Sequence, residues 1–226
     1  MNDYRRITIV TGHYGSGKSE FSISLALLLR EYHQAVCLVD VDVVNPYFRS
    51  REQRALLEKQ GIAVIANQLE VDRGVDLPAL SPKMYAPLQD RTTFTVVDTG
   101  GDPVGARLLG SFRRMLDPFE TEVLCVVNGS RPDTADAHGV VTMIRGIEGA
   151  SGLTVTGLVN NTHMLEHTDP DHLMRGERLC REVHQETGIP LKFTGVPAHL
   201  SESVPGEVQG EPVPIRMYLR ETWMYT

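Results

Sequence analysis

Short runs of consecutive apolar positions alternate along the chain with longer stretches whose apolar residues recur at helical spacing. The short runs predict strands at Ile7–Thr11, Ala35–Asp40, Ile62–Ala66, Thr93–Asp98, Val123–Asn128, Thr154–Asn160 and Leu191–Gly195. Val36–Val39 and Val123–Val127 are apolar at successive rather than alternate positions, as strands covered on both faces are. Helical composition over Lys18–Glu31, Phe48–Gln60, Val104–Leu116, Thr134–Ile147 and Pro170–Thr187 supplies the covering layers; several of these stretches open at Ser, Asp or Thr and close near Gly. The expected fold is a single three-layer α/β/α domain over residues 1–226 with a mostly parallel central sheet. No repeat and no Gly/Ser-rich linker divides it. Two stretches break both periods: Asn67–Asp90, with Pro78, Pro82 and Pro87, and Ser201–Pro214, with Pro205, Pro212 and Pro214. Both are expected to be irregular, in the manner of lids or binding loops.

Composition narrows the class. With 41% hydrophobic and 23% charged residues and no long apolar run, the chain reads as an ordinary globular domain without a spanning helix. A formal charge of −7 argues against nucleic acid or an anionic membrane as a general partner, since both need a face dense in Lys and Arg. The opening residues enter a strand-like run directly, with no secretory leader pattern, so the expected compartment is the cytoplasm. Of the three cysteines, Cys37 and Cys125 lie in apolar strand runs and read as small buried hydrophobes. Cys180 falls in a helical stretch, and with no CxxC a paired-thiolate metal site is not expected.

The first strand leads into Gly12-His13-Tyr14-Gly15-Ser16-Gly17-Lys18-Ser19 and then into a helix. This is GxxxxGK followed by Ser, in the strand–loop–helix setting that a P-loop requires. Gly12, Gly15 and Gly17 allow the backbone amides of His13, Tyr14, Ser16 and their neighbours to close on phosphate oxygens, and the helix N-terminus favours the anion. Lys18 is then the cation for the β- and γ-phosphates, and the Ser19 hydroxyl a Mg2+ ligand.

Two further strands end in acid. Val39-Asp40-Val41-Asp42 places two carboxylates at the edge where open α/β sheets bind ligands, and alternation turns Asp40 and Asp42 to the same side. Phe94-Thr95-Val96-Val97-Asp98 has the form of a Walker B strand, whose Asp holds the outer shell of Mg2+. It continues as Asp98-Thr99-Gly100-Gly101, so the Gly101 amide can meet a γ-phosphate and leave after hydrolysis.

These motifs together resemble the nucleotide-binding superfamily (SIMIBI class) of the MinD and ParA ATPases, the nitrogenase iron protein, and the cobyrinic acid synthase and dethiobiotin synthetase enzymes. GHYGSGKSE with DVDVVNPYFRSRE is most similar to a bacterial branch described only as MinD/ParA-like ATP-binding proteins, whose biological task that description does not give. The resemblance implies that Asp42 is the water-positioning Asp of the first switch and Asp98 the Walker B Asp, so that Ser19, Asp42 and Asp98 form the Mg2+ set. In Gly157-Leu158-Val159-Asn160-Asn161-Thr162 it implies an adenine-reading Asn at Asn161, with Asn160 one residue away as the alternative. Gly195-Val196-Pro197-Ala198 matches the later loop whose backbone flanks the base, which brings in Pro197. Asn161 is followed by Thr162 and His163 rather than by the Lys and Asp of guanine readers, which favours ATP.

The chain departs from that branch at one position: His13 stands where MinD and ParA proteins carry a second Lys that crosses a nucleotide-sandwich dimer. A partly charged His makes such a contact weaker and pH-dependent, so a homodimer stays open, as does a His13 packed under the loop. Pro214–Thr226, with Tyr218, Leu219, Trp223 and Met224, reads as a docked C-terminal segment rather than a membrane anchor. His163 and His167 have i, i+4 spacing but lack the framing of a metal pair. Three functions fit the residues. One is a Mg2+-dependent ATPase switch acting on a protein partner. Another is an ATP-dependent ligase or kinase using Arg49, Arg51 and Arg73 for an acidic substrate, and the third is a nucleotide-dependent binding module without turnover.

Overall fold

The computed structural model describes residues 4–42, 54–66, 82–101 and 103–219. The seven apolar runs become strands and an eighth joins them, all parallel: β1 (Ile7–Gly12), β2 (Val36–Asp40), β3 (Ile62–Ala66), β4 (Phe94–Asp98), β5 (Thr121–Val127), β6 (Gly157–Asn160), β7 (Leu191–Pro197) and β8 (Glu211–Ile215). Their order across the sheet is β3-β2-β4-β1-β5-β6-β7-β8. The described helices are α1 (Lys18–Tyr32), α2 (Arg54–Lys59), α3 (Ala86–Gln89), α4 (Pro103–Phe112), α5 (Ala137–Ser151) and α6 (Pro170–Thr187).

Because successive strand residues face opposite ways, each strand feeds two cores. Ile7 and Ile9 of β1, with Cys37 and Val39 of β2, pack against Leu88 of α3, Leu109 and Phe112 of α4, Ile144 of α5 and Val183 of α6. Val10, Leu38 and Val96 turn to the opposite side and meet Phe21, Leu25 and Leu29 of α1 and Leu57 of α2. The three cysteines are buried, and burial pushes the thiols of Cys37 and Cys125 up to about 12, as inert small hydrophobes should behave. Among the described residues no helix is long and apolar enough to cross a membrane.

Two segments expected to be irregular are partly regular. Ser201–Pro214 runs into β8, which pairs with β7 from Phe193↔Glu211 to Pro197↔Ile215. The outcome follows from position: β8 is the sheet's edge, and Pro212 and Pro214, alternating with buried Val213, both direct their missing donors away from β7. Within Asn67–Asp90, Pro82–Met84 forms a 3-10 turn and Ala86–Gln89 a short helix. Pro87 lies in the first turn of α3, where no N–H is needed, while Met84 and Leu88 anchor the piece in the core. Residues 67–81, the 48–53 part of the helix expected at Phe48–Gln60, Arg49, Arg51, Arg73, Val43–Pro46, Trp223 and Met224 lie outside the described residues.

Candidate nucleotide site

The strand order sets the place. With β4 and β5 flanking β1, the loops leaving all three open side by side at the C-terminal edge of the sheet. The loop after β1 carries positive φ at Gly12 (144°), Gly15 (75°) and Gly17 (84°). Gly12 has no substitute: a Cβ there would stand 2.5 Å from the Val126 carbonyl of β5. Gly17 caps α1 in the left-handed conformation and no side chain caps that helix, so its first amides face the cleft without a side-chain acceptor. Lys18 is buried, and its Nζ donates to the His13 carbonyl at 2.9 Å, held against the loop it would serve.

Asp98, at the end of β4, is fully buried beside Lys18, Ser19 and Ser22. Ser22 Oγ donates to its Oδ1 at 3.0 Å, whereas Oδ2 has no hydrogen-bond donor in bonding geometry among the described residues. Burial pushes this carboxyl up to about 6 and the Asp42 charge adds to the rise; Ser19, Lys18 and Ser22 pull against it. An unsatisfied buried carboxylate oxygen next to a Ser hydroxyl is a hard-oxygen donor set of the kind Mg2+ takes, so the residues present fit that ion. No group of three or more His, Cys, Asp or Glu gathers among the described residues, which leaves Ser19, Asp98 and Asp42 as the candidates.

The two carboxylates at the end of β2 have different surroundings. Asp40 is buried, and its Oδ1 accepts from the Asp42 backbone N–H at 3.1 Å; this turn brings the half-buried Asp42 into the cleft wall. Gly100 makes room for Asp42, whose Oδ1 would lie 3.3 Å from a Cβ at that position. Gly101 is pressed onto the P-loop: a Cβ there would be 2.6 Å from Lys18 Nζ and 2.7 Å from the Tyr14 backbone N. Asp42, Gly101, Tyr14 and Lys18 all line one cleft of about 260 Å³.

The rest of the cleft wall is formed by Asn161 and His163, beside Gly17, and by Leu165, Pro197, Ile215, Met217 and Leu219. Asn161 Nδ2 donates to the Ser16 carbonyl at 2.8 Å, and since a carbonyl only accepts, the amide oxygen is the atom left for another donor. Asn160 does not line the cleft. Its Nδ2 donates to the Leu173 carbonyl at 3.0 Å and to Glu177 at 3.2 Å, bracing α6. His13 is half-buried, with Nδ1 3.0 Å from the Tyr14 carbonyl and Nε2 3.6 Å from Asp133, and so faces the loop after β5 rather than packing under its own. His163 lines the cleft, while His167 is exposed and stands 3.7 Å from Glu166.

Comparison with protein-family models gives no match, and no curated protein matches. Solved structures do. The chain is similar to the cell division protein ftsY of Thermotoga maritima at 21% identity and TM-score 0.52, over 84% of this chain and 61% of that one. It is similar to the signal recognition particle 54 kDa protein of Aeropyrum pernix, solved in complex with GDP, at 19% identity and TM-score 0.53, over 83% and 40%. Chloroplast FtsY of Physcomitrella patens gives 18% identity and TM-score 0.55, over 87% and 60%. The fold is that of the P-loop NTPases. This chain spans less than two thirds of each of those proteins, and at these identities the likeness is one of fold.

Sequence reasoning missed Arg131 and Glu20 in this P-loop fold, and foresaw a docked C-terminal segment without its place on the cleft. Arg131, from the loop after β5, donates through Nε to the Gly15 carbonyl at 3.0 Å. Glu20, next to Ser19, accepts from the backbone N–H of Tyr218 at 2.8 Å and of Leu219 at 2.9 Å, which docks the C-terminal segment along the cleft. Ile215, Met217 and Leu219 then form an apolar wall. An acid directly after the Lys-Ser pair and the alternating apolar positions Val213 and Ile215 were the legible signals; for Arg131 there was none.

Proposed function

We propose that the chain binds ATP with Mg2+, hydrolyses it slowly, and serves as a nucleotide switch for a protein partner. The observation that carries this reading is that Gly101, from the loop after β4, presses on Lys18 and Tyr14 while Asp42, just past β2, packs beside the adjoining Gly100 in the same cleft. A γ-phosphate placed there is touched by both loops, so its loss releases both. Lys18 leaves the His13 carbonyl for the phosphates, and Asp42 accepts from the attacking water and orients it. Ser19, Asp98 and Asp42 would hold Mg2+, which when bound would supply positive charge to the phosphate oxygens. The fold neighbours, of the SIMIBI class that includes MinD and ParA, support a switch of this kind.

Adenine is favoured by Asn161. With its amide nitrogen committed to Ser16, the free oxygen is an acceptor, which suits the adenine N6 amine and not the O6/N7 edge of guanine. Single-turnover hydrolysis with γ-labelled ATP and GTP tests the proposal. Mg2+-dependent phosphate release from ATP is expected, with Asp42→Ala slowing it by roughly 100-fold while binding persists. A rate indifferent to Asp42→Ala, or a preference for GTP, contradicts it. ATP consumption only in the presence of an added carboxylate or hydroxyl acceptor would point instead to a ligase or kinase.

A further inference from the structure

We propose that Arg131 contacts the phosphates of the bound nucleotide, supplying from within the same chain the second positive charge that His13 does not. The inference rests on the nucleotide reading above and deepens it. Arg131 belongs to the turn Asn128-Gly129-Ser130-Arg131, which has a rigid frame. Ser130 N–H donates to Asn128 Oδ1 at 2.9 Å, Arg131 N–H to the Asn128 carbonyl at 3.1 Å, and the Thr134 hydroxyl to the same carbonyl at 2.8 Å. From this turn the side chain reaches the P-loop, 116 positions earlier, and bonds Gly15.

That bond uses one donor of five. A Cβ on Gly15 would stand 3.3 Å from Nε, 3.4 Å from Cζ and 3.5 Å from Nη2, so the guanidinium packs directly on the loop. Neither Nη group has a hydrogen-bond partner among the described residues. The side chain lines the same cleft as Gly15, Lys18 and Ser19. Anchored at Nε with both terminal nitrogens available, a guanidinium presents a preformed fork to phosphate oxygens.

Charge requires such a group. The cleft wall carries Glu20 and Asp42, and Asp98 lies buried beside Lys18. Even with the Mg2+ proposed above, one ammonium and one divalent ion only partly offset those acids and a triphosphate together. His13 faces Asp133, away from this task. Among the described residues, Arg131 and Lys18 are the Arg and Lys side chains that line the cleft.

Calorimetric titration of the full chain with Mg2+ and ATP, ADP or AMP tests this, using wild type, Arg131→Ala, Arg131→Gln and Arg131→Lys, with each variant's fold checked by its melt. Arg131→Ala and Arg131→Gln should weaken ATP binding by about 10- to 100-fold, ADP binding by less and AMP binding least, and Arg131→Lys should fall between them and wild type. The salt dependence of ATP binding should also drop by about one charge. If the alanine variant does not fold, the glutamine variant carries the same comparison. Unchanged ATP affinity, or an equal loss for all three nucleotides, overturns the proposal and makes Arg131 a loop brace or a base-stacking residue. A wild-type chain that binds none of the three overturns the nucleotide reading itself, whereas tight wild-type binding with an indifferent Arg131 overturns only this inference.

Discussion

The two ends of the cleft are built on opposite principles. At the end proposed to hold the phosphates charge is left incompletely met: α1 has no side-chain cap, a buried lysine leans on a carbonyl, and one Asp98 oxygen has no donor in bonding geometry among the described residues. At the end proposed to hold the base the polar groups are largely spent and the walls are apolar. Asn161 bonds Ser16, Glu20 receives two backbone amides, and Pro197, Ile215 and Leu219 close the side. An unsatisfied end gains most from a ligand, because binding removes an existing penalty. A satisfied end gains shape: it is preformed and costs little to organise. The phosphate end should therefore set affinity and the base end selectivity.

The sharpest way to break this contrast is Lys18→Ala. It should lower MgATP affinity by at least about 100-fold with little change in melting temperature, since one charge-assisted contact to phosphate is lost from a site built around it. Comparable binding by wild type and variant in equilibrium dialysis would end the distinction between the two ends.

Next in size is Asp98→Asn. The buried Asp98 carboxyl, raised to about 6 against an ordinary value of 3.8, binds its proton more tightly folded than unfolded. Its contribution to stability is therefore fully present below about pH 4, declines as pH rises through 6, and at pH 7 has become the cost of a buried charge. Removing that charge should stabilise the nucleotide-free chain at pH 7 by on the order of 2 kcal/mol and flatten its pH dependence between about 4 and 6. Mg2+-dependent tightening of ATP binding should vanish in the same variant. Urea unfolding across that range reads the first effect; a variant less stable than wild type at pH 7 would mean that Asp98 is not held at a cost.

The smallest effect is expected from Glu20→Gln at the base end. One of the two acceptors for Tyr218 and Leu219 becomes a donor, which should cost about 1 kcal/mol and speed amide exchange at those two residues. Exchange rates that do not move would show the C-terminal wall to be held by Leu219 packing instead.

What the sequence makes legible follows the same division. The phosphate end is written in contiguous residues, Gly12 to Ser19, and in two acid-ended strands, because backbone amides and one short loop do most of its work. α6 was readable to both ends from Asp169 as its cap and Gly188 as its stop. The base end is assembled from distant pieces. The sequence favoured Asn161 with Asn160 as the alternative; pairing of Asn160 with Val127 of β5 and its bonds to α6 separate them. β8 was hidden because prolines act as breakers in a central strand and are harmless on an edge, and edge position is a property of the whole sheet. Arg131 and Glu20 act across 116 and 198 positions of chain, distances over which no spacing rule operates.

The most direct test of the central claim, that this cleft grips a Mg2+-bound nucleoside triphosphate, is calorimetric titration of the purified chain with MgATP. The account predicts saturable heat at one site per chain, abolished by Lys18→Ala and weaker with MgGTP. Absence of heat with both nucleotides, or heat that survives Lys18→Ala unchanged, would contradict it.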